Sequence, residues 1–413
     1  MSTIHRHQFE NGLWLLAEPA ATAKSLAMSL LVPAGSAAEP DERQGLSSIL
    51  TEMIFRGAGD LDARAHSDAM DMLGVQRDTS VQSIHQSISA TMIGTKLSAA
   101  LPLILDMVVR PKLEDSALEP SRDLAIQAID SLEDEPQEKV FVELRHRHFP
   151  QPLGRSHLGR RPDVESVELD HVKGYWQQRF VPDGSVLAFA GQLDFEQLKG
   201  MVADHLADWQ GAAAEPTARN SAARGYTSSE ADSTQVHIGL AYDALPEADE
   251  SSILQHAATA ILSGGMSGRL FTEVREKRGL CYAVYASYLG LRDRGVVLSY
   301  AGTTVPRAQE TLDVLVGELR RLSDGIEQDE FDRAVVGMKS RLVMQGESTS
   351  ARARAVAVDQ YLLGRPRTLG ELADRVESIT LDKLRGFVTD HPPGDMTIVT
   401  IGPEALDPGG HCG

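Results

Sequence analysis

The same order of elements is written twice along this 413-residue chain, and that repeat restricts the fold more than any other feature. In the first half, a strand-like stretch from Ser83 to Met92 precedes the apolar run Leu101-Pro102-Leu103-Ile104-Leu105-Asp106-Met107-Val108-Val109, a polar turn, and a helix around Arg122 to Leu132. In the second half, Val296 to Tyr300 precedes Leu312-Asp313-Val314-Leu315-Val316-Gly317-Glu318-Leu319, a turn, and a helix around Asp332 to Leu342. Strands followed by helical pairs predict sheets covered on one face by helices, an α+β arrangement present in both halves. Between them, Ala212-Ala213-Ala214-Glu215-Pro216 is followed by Ser, Thr, Gly and charged residues without apolar periodicity, as a linker is. The expected organisation is a domain at 1–210, a linker at 211–232 and a second domain at 233–413.

With 42% hydrophobic and 24% charged residues, the chain has enough apolar side chains for two cores. A formal net charge of -19 argues against nucleic acid and anionic membrane surfaces as partners. Two cysteines, Cys281 and Cys412, make no disulfide framework and suit a reducing compartment. The start, Met1-Ser2-Thr3-Ile4-His5-Arg6-His7, lacks an apolar signal core, and no run approaches the length of a membrane span. A cytoplasmic location is expected, with an envelope location open if a signal was removed.

The chemistry is concentrated in two places. The first is Gly45-Leu46-Ser47-Ser48-Ile49-Leu50-Thr51-Glu52-Met53-Ile54-Phe55-Arg56-Gly57, read as a helix on which Ser48, Thr51 and Glu52 share a face. The second is Ile261-Leu262-Ser263-Gly264-Gly265-Met266-Ser267-Gly268-Arg269-Leu270-Phe271 with Arg275-Glu276-Lys277-Arg278-Gly279-Leu280-Cys281-Tyr282. There, Leu270, Phe271 and Val274 give a helical apolar face, Lys277 and Arg278 suit its C-terminus, and Gly279 can stop it. Tyr282 to Tyr288 alternates and is aromatic-rich, as a strand is.

Both stretches resemble the pitrilysin/insulinase family of zinc peptidases. So do Asn11-Gly12-Leu13, Val32-Pro33-Ala34-Gly35-Ser36 with Glu39, Pro152-Leu153-Gly154-Arg155 with Leu158-Gly159, and Ala188-Phe189-Ala190-Gly191, so the likeness runs from about Gln8 to Pro403. In that family the motif H-x-x-E-H binds zinc through two His, with the Glu polarising the attacking water. Here the corresponding positions read Ser48, Thr51 and Glu52, and counting back from the acidic turn at Ser131 to Pro136 puts the third ligand position at Ala128. A Ser hydroxyl is a poor zinc ligand, Thr51 is no general base near neutral pH, and a methyl group binds nothing, so no metal is expected in this chain. Glu52 also stands four before Arg56, where a plain surface ion pair is the blander expectation.

The resemblance further implies that Arg275 and Tyr282 contact substrate around the scissile bond, with the glycine pair Gly264 and Gly265 beside them. An Arg on a charged helix and a Tyr in a strand are more often surface and core residues, and it is the surrounding glycine-rich match that favours the functional reading. The implied fold is two homologous α/β domains that form a clamshell. The implied partner is a homologous subunit with intact H-x-x-E-H that carries the zinc, this chain being the non-zinc subunit of a heterodimeric peptidase. The alternative is a structural or peptide-binding pseudoenzyme of the same family. The segment Ser83 to Ser89 is the candidate sheet edge for an extended peptide.

Other chemistries find little support. His146 and His148 point to different helix faces, His157 and His171 lie in loop or helix-start contexts, and His5 and His7 can share a strand face, although terminal His pairs are more often incidental. No G-x-S-x-G elbow stands out, and the Gly264-Gly265 turn lacks the Lys-Ser/Thr ending of a phosphate loop.

Overall fold

The computed structural model describes residues 3–412. The chain opens with β1 (His5–Gln8), β2 (Trp14–Pro19) and β3 (Ser25–Val32), followed by α1 (Leu46–Met53) and the short hairpin β4 (Gly57–Ala58) and β5 (Leu61–Asp62). Next come α2 (Ala63–Met72), β6 (Gln76–Val81), β7 (Gln86–Ile93), α3 (Leu97–Val109), α4 (Asp115–Ser131) and α5 (Pro136–His148). The first half ends with α6 (Arg161–Glu165), α7 (Leu169–Arg179), β8 (Val186–Gly191) and α8 (Phe195–His205). The second half contains β9 (Tyr226–Glu230), β10 (Gln235–Ala244), α9 (Ser252–Ser263), β11 (Cys281–Gly290) and β12 (Gly295–Thr304). It closes with α10 (Ala308–Arg321), α11 (Gln328–Glu347), α12 (Thr349–Leu363), α13 (Leu369–Glu377), α14 (Leu381–Asp390) and β13 (Thr397–Gly402). The repeat read from the sequence is there, as β7-α3-α4 and β12-α10-α11.

Each half builds one antiparallel-rich sheet. The first has order β1-β2-β8-β3-β7-β6, with only β2 and β8 parallel; the second has order β11-β12-β10-β13-β9, with only β13 and β9 parallel. In β3, Leu26, Met28, Leu30 and Val32 point into the main core, under the helical layer that includes α1 and α3. The alternate residues Ala27 and Leu31 face the other way and are buried too, against Ala353 and against Val356 and Ala357 of α12. The helical layer on one face is therefore joined by a single helix on the second.

That single helix comes from the opposite half of the sequence in both cases. The two compact units are residues 1–131, 151–219 and 345–368, and residues 132–150, 220–344 and 369–413. Helix α12 docks on β8 and β3 of the first unit, and α5 docks on β10 and β13 of the second. Arg352 anchors α12 by donating from Nε and Nη2 to Oε2 of Glu18 at 2.8 and 2.7 Å, both side chains being almost fully buried. His148 at the end of α5 meets Thr397 through Nδ1 and Oγ1 at 2.9 Å, and Phe141 lies against Tyr285 and Tyr300. A side chain at Gly239 would come within 2.3 Å of Val140 Cγ1, so α5 lies directly on β10.

The units thus differ from the domain limits expected at 1–210 and 233–413. Polar, Gly-rich composition marks where a chain is poor in core residues; it does not say which sheet a helix's apolar stripe will cover. Part of the expected linker at 211–232 is also regular, since residues 226–230 form β9. The segment Ser83 to Ser89 is not a sheet edge: residues 83–85 belong to the turn between β6 and β7, and from Gln86 on β7 is paired on one side by β3 and on the other by β6. Its alternation is that of an interior strand with two different faces, and the edge is β6. Among the described residues no helix is long and apolar enough to cross a membrane.

Candidate functional site

In the first unit, α1 carries Ser48, Thr51 and Glu52 and packs against α4, which carries Ala128, and against α7. Its start is held from outside the helix. Gly45, its N-cap, takes φ +110° and has no side chain; the carboxylate of Glu39 accepts instead, from Gly45 N at 2.9 Å, Ser47 N at 2.7 Å and Ser47 Oγ. Glu39 is 2% exposed. Burial pushes its pKa up to about 7, although the hydrogen bonds from Ser47 and Gly45 and the guanidinium of Arg155 pull it down. Arg155 also donates to the Glu39 carbonyl at 2.6 Å, so the turn before α1 is held both at the Glu39 side chain and at its main chain.

The face that would bind zinc in the family is occupied with its own hydrogen bonds. Ser48 Oγ donates to the carbonyl of His157, and Thr51 Oγ1 donates back to Ser47 O at 2.7 Å. Glu52 is half-buried and, among the described residues, makes no hydrogen bond or ion pair. The ion pair expected with Arg56 does not form, because α1 ends at Met53 with Ile54 as its C-cap and Arg56 falls outside the helix where the i,i+4 rule applies. No group of three or more His, Cys, Asp or Glu among the described residues is placed to hold a metal. One carboxylate, two hydroxyls and a methyl do not fit a zinc centre.

In the second unit, α9 ends at Ser263 and Gly264 is its C-cap. A side chain at Gly264 would meet Ala260 O at 2.3 Å, while Gly265 adopts φ +147° in open surroundings, so this exposed turn presents bare backbone. The next helical segment is a π-helix over Phe271–Glu276, not the α-helix its apolar spacing suggests, with Lys277 N reaching Thr272 O at 2.9 Å. Such wide turns recur at functional sites because they reposition side chains. Leu270 and Val274 are fully buried beneath it. Gly279, at φ +61°, closes it as expected, donating to Arg275 O at 2.9 Å while Leu280 N reaches Val274 O. Lys277 and Arg278 both pair with Glu273.

Arg275 is left free by these pairings. It is exposed, its guanidinium lies 4.9 Å from the ring centre of Phe271, and among the described residues it has no carboxylate or carbonyl partner. Tyr282 follows on β11, an edge strand, where the pairing with β12 shifts between Cys281 and Ala283. Tyr282 is the residue that the bulge sets out of register, and it is 63% exposed with no hydrogen-bond partner among the described residues. Cys281 beside it is buried, and burial pushes its thiol up to about 11, which makes it an inert packed side chain. A guanidinium and a phenol on adjoining elements, neither tied up by a hydrogen bond or ion pair among the described residues, can donate to a carbonyl oxygen or to an oxyanion.

Residues 15–161 match the family model described as Insulinase (Peptidase family M16), and residues 166–338 match Peptidase M16 inactive domain. The chain belongs to the M16 (insulinase) family of peptidases and lacks that family's zinc motif. It is similar to an uncharacterized zinc protease of Streptomyces coelicolor, 26% identical with 98% of this chain and 90% of the relative covered. An uncharacterized zinc protease of Bacillus subtilis is 25% identical over 98% of this chain and 100% of the relative. In fold it is similar to a peptidase M16 inactive domain from Pseudomonas fluorescens, with a TM-score of 0.88, 20% identity and coverage of 98% and 99%.

Proposed function

We propose that this chain is the non-zinc subunit of a two-chain M16 peptidase, supplying Arg275 and Tyr282 to the zinc site of a homologous partner with intact H-x-x-E-H. One contrast carries the reading: within a single chain, the zinc-helix positions keep only one carboxylate while the Arg/Tyr pair is exposed and held by no hydrogen bond or ion pair among the described residues. If that pair were vestigial packing, its polar ends would be expected to find partners in their own chain, as Lys277 and Arg278 do. The relatives' names as zinc proteases support a peptide as substrate. In this reading, Arg275 and Tyr282 donate hydrogen bonds to the carbonyl of the bond being cleaved and to the oxyanion that forms from it. Gly264 and Gly265 offer bare backbone for contact with the peptide main chain.

The test is reconstitution. Peptide hydrolysis is measured with this chain alone, with a co-purified homologue carrying H-x-x-E-H alone, and with the two together. Activity that needs both supports the proposal. A mixture no more active than the partner alone moves the chain to the other reading, a structural or peptide-binding pseudoenzyme.

A further inference from the structure

A cavity in the second unit lies apart from the Arg275 and Tyr282 site. It encloses about 310 Å³ between the end of β10, α9, the 3-10 turn Leu322–Asp324 and the end of α14. Its apolar wall is made by Leu245, Ala258, Leu322, Phe387, Val388 and Pro393. Three polar side chains on its lining lack protein partners. Tyr242 is 5% exposed and its hydroxyl makes no hydrogen bond; Gln255 is 8% exposed and its side-chain amide makes none either, among the described residues. The hydroxyl of Ser323 is buried and equally without a partner. The Tyr242 hydroxyl and the Gln255 amide open onto the cavity without protein partners, so a molecule seated there can take them as hydrogen-bond partners in place of water.

The charge at the rim selects the kind of molecule. No Lys or Arg lines the cavity, so nothing there compensates an anion. Asp243 is already engaged by Arg224 and His148, whereas Asp390 is exposed and has no partner among the described residues. Asp390 is also the last residue of α14, whose terminal carbonyls favour a positive charge. His391, which also lines the cavity, is held by a hydrogen bond from Nδ1 to Phe387 O at 3.0 Å.

We propose that this cavity binds a small organic amine, with its ammonium toward Asp390 and its apolar body against Phe387, Leu322 and Pro393. Tyr242 and Gln255 would complete its hydrogen bonds. The cavity is roomy enough for a small organic molecule and not for water alone. The proposal is independent of the reading of Arg275 and Tyr282.

Calorimetric titration of the full chain tests it, with phenethylamine as probe and 3-phenylpropionate as its anionic counterpart. Saturable one-site binding of phenethylamine, and none of 3-phenylpropionate, is expected. Tyr242→Phe should weaken binding about tenfold and Asp390→Asn about threefold. Both variants should stay folded, because one removes a hydroxyl with no partner and the other alters an exposed residue. Weakening in at least one of them supports the site. No saturable binding of phenethylamine, equal binding of the carboxylate, or unchanged affinity in both variants would overturn it.

Discussion

The Ser48 hydroxyl donates to the carbonyl of His157, so the first zinc position of α1 is tied into its own chain's loop. With Glu52 the lone carboxylate and Ala128 on α4, the purified chain should retain no stoichiometric zinc after dialysis. Elemental analysis decides this, and one tightly held zinc per chain would refute it. Combining Ser48→His, Thr51→Glu, Glu52→His and Ala128→Glu should restore weak zinc binding only, since tight binding also needs outer groups that orient the ligands and these four changes supply none.

Arg275→Ala and Tyr282→Phe should leave the chain folded and paired, since neither side chain is buried. In the reconstituted peptidase each should lower kcat by about 10²- to 10³-fold if it donates to the oxyanion, and should raise KM instead if it only holds substrate. Wild-type rates in both variants, with the complex intact by size-exclusion chromatography, would show that the pair is not used.

Edge strand β6 presents one side of its backbone without a strand partner, and an extended peptide can add there through main-chain hydrogen bonds. Saturating peptide should therefore slow amide exchange in Gln76–Val81 of the complex and leave the doubly paired β7 unchanged. Equal rates in Gln76–Val81 with and without peptide would dismiss this edge.

The Glu39 carboxyl gives the chain a pH dependence of known sign. In the folded state it keeps its proton up to about 7, while the unfolded chain releases it near 4.5, so between those values the folded state holds more protons. Its contribution is present in full below 4.5 and is lost as pH rises through 7, a change on the order of 3 kcal/mol for this fully buried group. Denaturant unfolding from pH 5 to pH 8 should show that decline in the wild type and a flatter curve in Glu39→Gln. Parallel curves would mean that Glu39 is ionised throughout.

Breaking the buried pair beneath α12 should be expensive. Arg352→Met leaves Glu18 charged and unmatched, at a cost of about 3–5 kcal/mol, whereas Glu18→Met with Arg352→Met should recover most of that. Chemical denaturation of both variants tests this, and a double variant as unstable as the single one would contradict it.

Local chemistry was the part most legible in the sequence. The α1 stretch, the stop at Gly279 and the strand after Leu280 each depend on residues close in the chain, and turn and cap preferences act at that range. The Glu52 and Arg56 pair failed for a local reason that spacing alone hides: the helix stops before the second residue. Glu39 was visible only as part of a turn, because its partners lie six and eight residues on and the cap depends on how the loop folds back. The positions of α5 and α12 were not legible at all. Val140, Phe141 and Leu144 make an apolar stripe that does not itself name a sheet, and the features that receive it, the space at Gly239, the rings of Tyr285 and Tyr300 and the hydroxyl of Thr397, lie far along the chain. The amine cavity was hidden for the same reason, since Tyr242, Gln255, Ser323 and Asp390 come from four separated stretches.

The exchange of helices sets a timetable for synthesis. As the chain leaves the ribosome, the first sheet can form once β8 has emerged, yet Leu31, Val186 and Ala188 stay uncovered until residues 349–363 follow. A nascent chain stopped at 210 therefore carries an open greasy face, and a cut within 211–232 produces two fragments that each hold a helix belonging to the other. A division of the gene at its most linker-like point therefore leaves each piece without the helix that covers one face of its sheet.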